Sequence, residues 1–180
     1  MSIELTASER IARIRSDFRM GVAVGFRSGI ENWLVASSET ITLSRFNGMR
    51  KLGPLELAIT DWRAQTLSTW ATDGDIARLA IPDDKDLDWI HSVCDPSDDF
   101  NTPLKGPFTP IFGGSANVSR TALAICKTAH LIPSAVMVNI TDQDIVGLNF
   151  VDLEQIFSLI LNPSNQLIEV SAANVPLQVA

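Results

Sequence analysis

Apolar positions follow a helical period in some stretches of the chain and alternate with polar positions in others. At the start, a Thr6-x-x-Glu9 capping box precedes Ile11, Ile14 and Phe18, which lie three and four residues apart, so a helix is predicted there. The same reasoning predicts helices at residues 39–51, 61–67, 86–93, 117–130 and 151–161. Alternating or short apolar runs predict strands at residues 22–26, 33–36, 55–59, 76–81, 135–140, 144–148 and 166–170. Because helices and strands interleave, the fold class is α/β or α+β.

The stretch from Gly113 to Thr141 combines a loop of small residues, an amphipathic helix and a strand. One face of this helix carries an apolar stripe directed at a core, formed by Val118, Ala122, Ile125, Cys126 and Ala129. Asn117 or Ser119 is expected to cap the first backbone donors. Pro133 prevents the helix from continuing into the strand that follows.

The N-terminus of this helix is a candidate anion site, because free backbone N–H groups meet there. The candidate ligand-binding residues are Gly113, Gly114, Ser115, Asn117, Ser119 and Arg120. In the simpler alternative, which we favour, Ser119 only caps the helix and Arg120 is a surface residue.

Length and composition indicate a single domain. A chain of 180 residues, 46% of them apolar, can bury its own core, and we expect a domain at 1–165 and a tail at 166–180. The net charge of −7 argues against a nucleic-acid partner, since phosphate neutralisation needs clustered Lys and Arg. No apolar run approaches the roughly 20 residues of a membrane span, and the N-terminus lacks a signal pattern. We therefore expect a cytoplasmic protein with no membrane partner.

Candidate metal ligands are few. His91-x-x-Cys94 resembles half of a zinc site, but a structural zinc needs four such ligands, and Cys126 is best explained as a core residue. Seven aspartates between residues 83 and 99 could bind a divalent cation. They lack the order of a calcium loop, so capping and solubilising a short helix is the favoured explanation. No metal-ligand residue and no cofactor are assigned.

A loop with four prolines, residues 96–110, leads into the Gly113 loop. Its length is unusual inside a compact domain and is typical of functional loops. The two loops are therefore expected to line one cleft.

Several strings resemble 3,4-dihydroxy-2-butanone 4-phosphate synthase, a lyase of riboflavin biosynthesis. Leu131-Ile-Pro133-Ser-Ala-Val136 is similar to the family's Leu-x-Pro-Ala-(Gly/Ala)-Val, which follows a Gly-His-Thr-Glu-Ala turn and a helix. The resemblance covers residues 7–141, including the strings 33–39, 55–60, 95–96 and 107–111. It implies a single-domain, synthase-like fold with a mixed sheet and packed helices, and a homodimer.

The chain departs from the family at its chemical motifs. The family has an acidic Asp-Asp-x-Asp-Arg-Glu-Asn run for Mg²⁺ and enolisation, where this chain keeps only the carboxylate of Glu31. The family's histidine, threonine and glutamate fall at Val118, Ser119 and Arg120. Valine cannot ligate a metal or move a proton, and arginine is not a base at neutral pH. No catalytic residue is therefore assigned, and Mg²⁺ is expected only if the lyase activity persists.

The tail string Leu167 to Leu177 resembles the segment that enters a GTP cyclohydrolase II domain in fused riboflavin enzymes. The resemblance therefore implies a linker at residues 166–180 and a cyclohydrolase II domain as covalent or separate partner. Three functions follow as hypotheses. The first is a non-catalytic scaffold, dimerisation or regulatory domain. The second is an active lyase in which Glu31, Asp61 or the aspartates serve as ligands. The third is a module that binds a phosphorylated metabolite.

Overall fold

A computed structural model describes residues 5–29, 31–140 and 147–161 of the chain. Within them the helices are α1 (Ala7–Arg19), α2 (Leu43–Arg50), α3 (Asp61–Thr66), α4 (Leu87–Cys94), α5 (Asn117–Thr128) and α6 (Leu153–Leu161). The strands are β1 (Val24–Ser28), β2 (Glu31–Ser37), β3 (Leu55–Thr60), β4 (Ile76–Ala80), β5 (Thr109–Pro110), β6 (Ser134–Ile140) and β7 (Asn149–Asp152). The predicted α/β class is confirmed.

The seven described strands form one sheet in the order β5-β4-β3-β6-β2-β1-β7. The β1–β7 pair is parallel and every other neighbouring pair in this order is antiparallel, so the sheet is mixed as expected. Strand β6 lies at the centre and pairs with both β2 and β3. The strand that follows α5, which the sequence predicts as buried, is thus the middle of the sheet.

Two apolar cores lie on the two faces of this sheet. Helices α1, α5 and α6 cover one face, where Phe18, Phe26 and Ile125 are buried. Helices α2, α3 and α4 cover the other, where Phe46, Leu57 and Ile90 are buried. Alternation along each strand sends neighbouring side chains to opposite cores. The result is three layers, helix–sheet–helix.

Capping side chains set the start of most helices. The predicted capping box at Thr6 is present, and the Asp86 carboxylate accepts from Trp89 N at 2.9 Å at the start of α4. The prediction that an aspartate caps this short helix is confirmed. Helix α2 begins at Leu43 rather than at residue 39, because the Thr42 hydroxyl caps it.

Other predictions need correction. Neither Asn117 nor Ser119 caps α5: its N-cap is Ala116, which makes no side-chain capping bond, and Asn117 is its first helical residue. The sequence prediction missed β5, which has only two residues. Helix α6 starts at Leu153, because residues 149–152 form β7 beside β1.

Some predictions fall outside the described residues. They are most of the strand at 144–148, the strand at 166–170 and the tail at 166–180. Gly147 and Leu148, which are described, are not in a strand. None of the helices in the described part of the chain has the length and apolar content that a bilayer crossing demands.

Candidate functional site

The Gly113 loop lies at the N-terminus of α5, on the sheet face that α1, α5 and α6 cover. Gly113 and Gly114 both have positive φ, at 77° and 72°, a conformation that glycine adopts without penalty. The Ser115 hydroxyl accepts from Asn117 N at 3.3 Å. The loop residues Gly113, Gly114, Ser115 and Asn117 are exposed. A ligand can therefore reach the backbone of this loop from solvent.

Two arginine–aspartate pairs hold the loop against the turn before β4. The Arg78 guanidinium donates to both carboxylate oxygens of Asp73, at 2.8 and 3.2 Å, and to the Gly113 carbonyl. Arg120 Nε and Nη2 donate to the Asp75 carboxylate at 2.8–3.0 Å. The anion hypothesis assigns the Arg120 guanidinium to a ligand, but in this structure it binds the Asp75 carboxylate instead. Hydrogen bonding to Arg120 lowers the pKa of Asp75.

Ser119 points away from the loop and into the core. It is buried, and its hydroxyl lies 3.8 Å from the sulfur of Met137 on the central strand. Ser119 therefore neither caps the helix nor reaches the loop surface, so the favoured simpler explanation is wrong for this residue. Of the Ser119 groups, only the backbone N–H, in the first turn of α5, is placed to contact an anion bound at the loop; the hydroxyl is directed into the core.

A partly buried carboxylate that sequence reasoning did not assign to the site lies on β3, close to Arg78. Glu56 on β3 pairs with Met137 on β6 and is a diagonal neighbour of Arg78 on β4, all on one face. Its Oε2 atom is buried and has no hydrogen-bond partner among the described residues. Burial raises the pKa of Glu56; Arg78 opposes this shift and Glu31 adds to it. The signal in the sequence was a charged residue at an inward position of an apolar strand, and Arg78 shows the same signal.

The magnesium ions implied by the resemblance do not fit this site. Val118, at the position of the family's histidine, is apolar and buried. The Glu31 carboxylate accepts from the indole N–H of Trp33 at 3.1 Å. Within residues 5–29, 31–140 and 147–161, no three His, Cys, Asp or Glu side chains are placed to hold a metal ion. Mg²⁺ needs several oxygen ligands in near-octahedral geometry, so no step of a reaction is assigned to it here.

The groove beside the proline loop is not the cleft with the Gly113 loop that the sequence predicts. The loop borders this groove, of about 760 Å³, together with residues 66–70, and the groove includes none of residues 113–120. Ion pairs hold the proline loop in place. Asp99 accepts from both Nη atoms of Arg63 at 2.7 Å and pairs with the buried ammonium of Lys105. These pairs anchor the proline loop to α3.

His91 and Cys94 lie one turn apart on α4 and border a hollow of about 220 Å³ with Glu39 and Asp95. Among the described residues, these side chains are not part of a group of three or more that could hold a metal ion. Cys126 is a core residue as predicted: it is fully buried, and its thiol donates to the Ser134 carbonyl at 3.4 Å. Burial raises the pKa of both thiols, to about 12 for Cys126. Burial and a raised pKa disfavour a nucleophilic role for either cysteine.

Comparisons with known proteins place the fold. No protein-family model and no curated protein sequence matches the chain. A crystal structure of 3,4-dihydroxy-2-butanone 4-phosphate synthase in a cation-free form matches with a TM-score of 0.61 and 15% identity, over 86% of this chain and 98% of that one. The Candida albicans synthase matches with a TM-score of 0.59 and 13% identity, over 83% and 96%. A two-domain synthase from A. baumannii matches with a TM-score of 0.58 and 14% identity, over 81% of this chain and 56% of that chain. The chain therefore has the fold of 3,4-dihydroxy-2-butanone 4-phosphate synthase.

Proposed function

We propose that this chain is a non-catalytic, synthase-like domain associated with riboflavin biosynthesis. One observation carries the proposal: the positions of the family's histidine and glutamate hold Val118, which is buried, and Arg120, which is paired with Asp75. An enolising lyase needs a base and a metal at this place. Neither of these side chains can supply one, while both help to hold α5 in the fold.

The retained fold then serves as a scaffold, as a dimerisation surface or as a regulatory module. We include a GTP cyclohydrolase II domain, covalent or separate, among its proposed partners. The two apolar cores are complete on both faces of the described sheet, so the domain keeps its architecture without the lost chemistry. A cytoplasmic location remains part of the proposal.

The experiment is formate release from ribulose 5-phosphate in the presence of Mg²⁺, with a bona fide synthase measured in parallel. We expect no turnover from a sample whose folding is verified by circular dichroism. Turnover comparable with the synthase would overturn the proposal and favour the lyase. Replacing Glu31 or Asp61 by the corresponding amide would then show whether these carboxylates act in the reaction.

A second candidate is binding of a phosphorylated metabolite at the Gly113 loop. The N-cap residue of helix α5, Ala116, offers no side-chain cap, and the loop before it is exposed, so an anion can approach the first turn. The Asn117 N–H there already donates to Ser115 Oγ. Titration of ribulose 5-phosphate into the protein tests this candidate directly. Arg120→Glu is expected to weaken binding tenfold or more, about 1.4 kcal/mol, by removing a charge-assisted contact. An unchanged affinity would remove the loop from consideration.

A further inference from the structure

Helix α1 carries cations that no described carboxylate neutralises. Four arginines on α1 or beside its C-terminal end form no ion pair with a described residue: Arg13, Arg15, Arg19 and Arg45. By contrast, Arg63, Arg78 and Arg120 each bind an aspartate. In a chain with 21 acidic and 14 basic residues, an unneutralised group of four cations is a local exception. Guanidinium groups match carboxylates in shape and charge, so this group fits an anionic partner.

Neutral oxygen atoms hold three of these arginines in place. Arg15 Nε donates to the Thr128 hydroxyl at 3.1 Å. Arg19 Nε donates to the Ala129 carbonyl at 2.9 Å, and Arg45 Nη1 donates to two carbonyls just beyond α1 at 2.9 and 3.1 Å. The remaining N–H groups of these guanidiniums have no acceptor among the described residues. A partner's carboxylates would therefore meet donors that are already ordered.

A row of exposed residues runs along α1 between the arginines. Its members lie four residues apart: Ala12, Ser16 and Met20. Such rows are the ridges that pack into the grooves of a second helix. Because successive helical residues are rotated by about 100°, Arg15 and Arg19 lie on one side of this row and Arg13 on the other. The surface is here called the α1 ridge: Ala12, Arg13, Arg15, Ser16, Arg19, Met20 and Arg45.

The acidic side chains of α1 do not cancel this charge. The Glu9 carboxylate is bound to Thr6 in the capping box at 2.7 Å, and Asp17 is the other acid of the helix. Within residues 7–20 four arginines outnumber these two carboxylates, and Arg45 adds a further positive charge. The α1 ridge is thus a positive area on a chain of net charge −7.

The size of the positive area decides which anions fit. Salt screens exposed charges beyond about 8 Å under physiological conditions, so a narrow segment lying on α1 is affected mainly by the arginines. A bilayer or a nucleic-acid duplex presents an extended anionic surface, which would also meet the negative remainder of the chain. A single small anion is too short, since Arg13 and Arg19 lie about 9 Å apart along the helix axis.

Met20 gives the α1 ridge an apolar contact at one end. Its side chain is 58% exposed, whereas the two small residues of the row let a partner's backbone approach closely. We propose that the α1 ridge is a docking site for an acidic amphipathic helix of a partner protein. This inference rests on the proposed scaffold role, to which it gives a surface and a class of partner.

Fluorescence anisotropy of the full chain with a labelled peptide tests the inference. The probe is a fluorescein-labelled helical peptide of glutamate, alanine and leucine, and the control peptide has lysine in place of glutamate. We expect saturable binding of the acidic peptide alone, weakened as NaCl is raised. Arg13→Glu, at a side chain with no described contact to lose, should raise the Kd about tenfold or more. Ser16→Glu should also weaken binding, because it places a negative charge on the row itself.

Matched control variants separate the α1 ridge from net charge. Lys51→Glu and Gln65→Glu make the same changes in charge at exposed positions of α2 and α3, on the opposite face of the sheet. Both should change the Kd by less than about twofold, because their charges are screened from α1. Circular dichroism verifies the folding of all four variants.

Three outcomes would overturn the inference. Equal weakening by Arg13→Glu and Lys51→Glu would mean that net charge, and not the α1 ridge, governs binding. Binding to phosphatidylserine vesicles or duplex DNA that Arg13→Glu abolishes would contradict the assigned class of partner. A wild type that binds no acidic peptide would remove the docking site. The formate assay decides the non-catalytic role separately in every case.

Discussion

The guanidinium of Arg63 on α3 donates to both carboxylate oxygens of Asp99 in the proline loop, at 2.7 Å each, across 36 residues of sequence. The Arg63 side chain is 8% exposed and that of Asp99 is 31% exposed. This pair, with Lys105, anchors the proline loop to α3. It therefore helps to shape the groove of about 760 Å³ that the loop borders with residues 66–70.

Asp99→Asn should lower the free energy of unfolding by about 2 kcal/mol at pH 7, because the buried cations of Arg63 and Lys105 lose their counter-charge. The loss is moderated because the Asp99 carboxylate is partly exposed to solvent. Hydrogen bonds from Arg63, then from Lys105, hold the pKa of Asp99 well below its usual range. The carboxylate thus stabilises the fold above about pH 4, and this contribution disappears as the pH falls toward the lowered pKa. Urea denaturation at pH 7 and pH 3 measures both effects. Asp84→Asn, at an exposed carboxylate, is the control and should change little.

Glu56→Gln should stabilise the protein at pH 7 by about 1 kcal/mol or less, since the buried carboxylate has an unpaired oxygen and the side chain is still partly exposed. Burial raises the folded-state pKa of Glu56 above 4.5, so its favourable contribution exists below that pH and is lost as the pH rises through the folded pKa. The difference between the two proteins should therefore vanish below about pH 4.5. Thermal melts across pH measure it, with the exposed Glu154→Gln as control. Destabilisation at pH 7 would show that the Glu56 carboxylate has a partner.

Asp75→Asn should strengthen phosphate binding at the Gly113 loop several-fold, roughly 1 kcal/mol, if that loop binds anions. The reason is that Asp75 neutralises the Arg120 guanidinium in the free protein. Calorimetric titration of ribulose 5-phosphate measures the change. An Asp75→Asn variant that binds no better than wild type would indicate that Arg120 does not contact the ligand.

Gly21→Ala should destabilise the fold far more than Gly29→Ala. Both glycines have positive φ, 64° and 61°, where alanine costs about 1 kcal/mol. A Cβ at Gly21 would also lie 2.1 Å from the Thr40 carbonyl oxygen, whereas a Cβ at Gly29 would meet no described residue within 4 Å. We expect about 1 kcal/mol for Gly29→Ala and about 3 kcal/mol for Gly21→Ala in chemical denaturation. Equal losses would mean that the backbone around Thr40 moves without penalty.

Both thiols should resist modification in the folded protein. Burial raises the pKa of Cys126 to about 12 and also raises that of Cys94, so little thiolate exists at pH 8. Labelling with a thiol reagent at pH 8 should be slow in buffer and rapid for both cysteines in denaturant. Rapid labelling of the native protein would show that the core around α4 and α5 opens easily.

Sequence reasoning predicted the elements that carry strong local signals. The capping box at Thr6, the apolar stripe of α5 and the alternation of β3 are set by neighbours within a few residues. Capping, helical periodicity and strand alternation are local properties, so they can be deduced without the fold. The two-residue β5 has no such signal and was missed, since its pairing with β4 alone defines it.

The candidate site was predictable only in part. The sequence alone determined that positions 118 and 120 hold valine and arginine, which supply neither a base nor a metal ligand in any fold. Only the tertiary structure decided that Ser119 faces Met137 and that Asp75 occupies Arg120. It also decided that Glu56 lies partly buried near Arg78. These relationships join residues far apart in the chain, and their geometry depends on the order of strands in the sheet, which the local periodicity of a sequence does not encode.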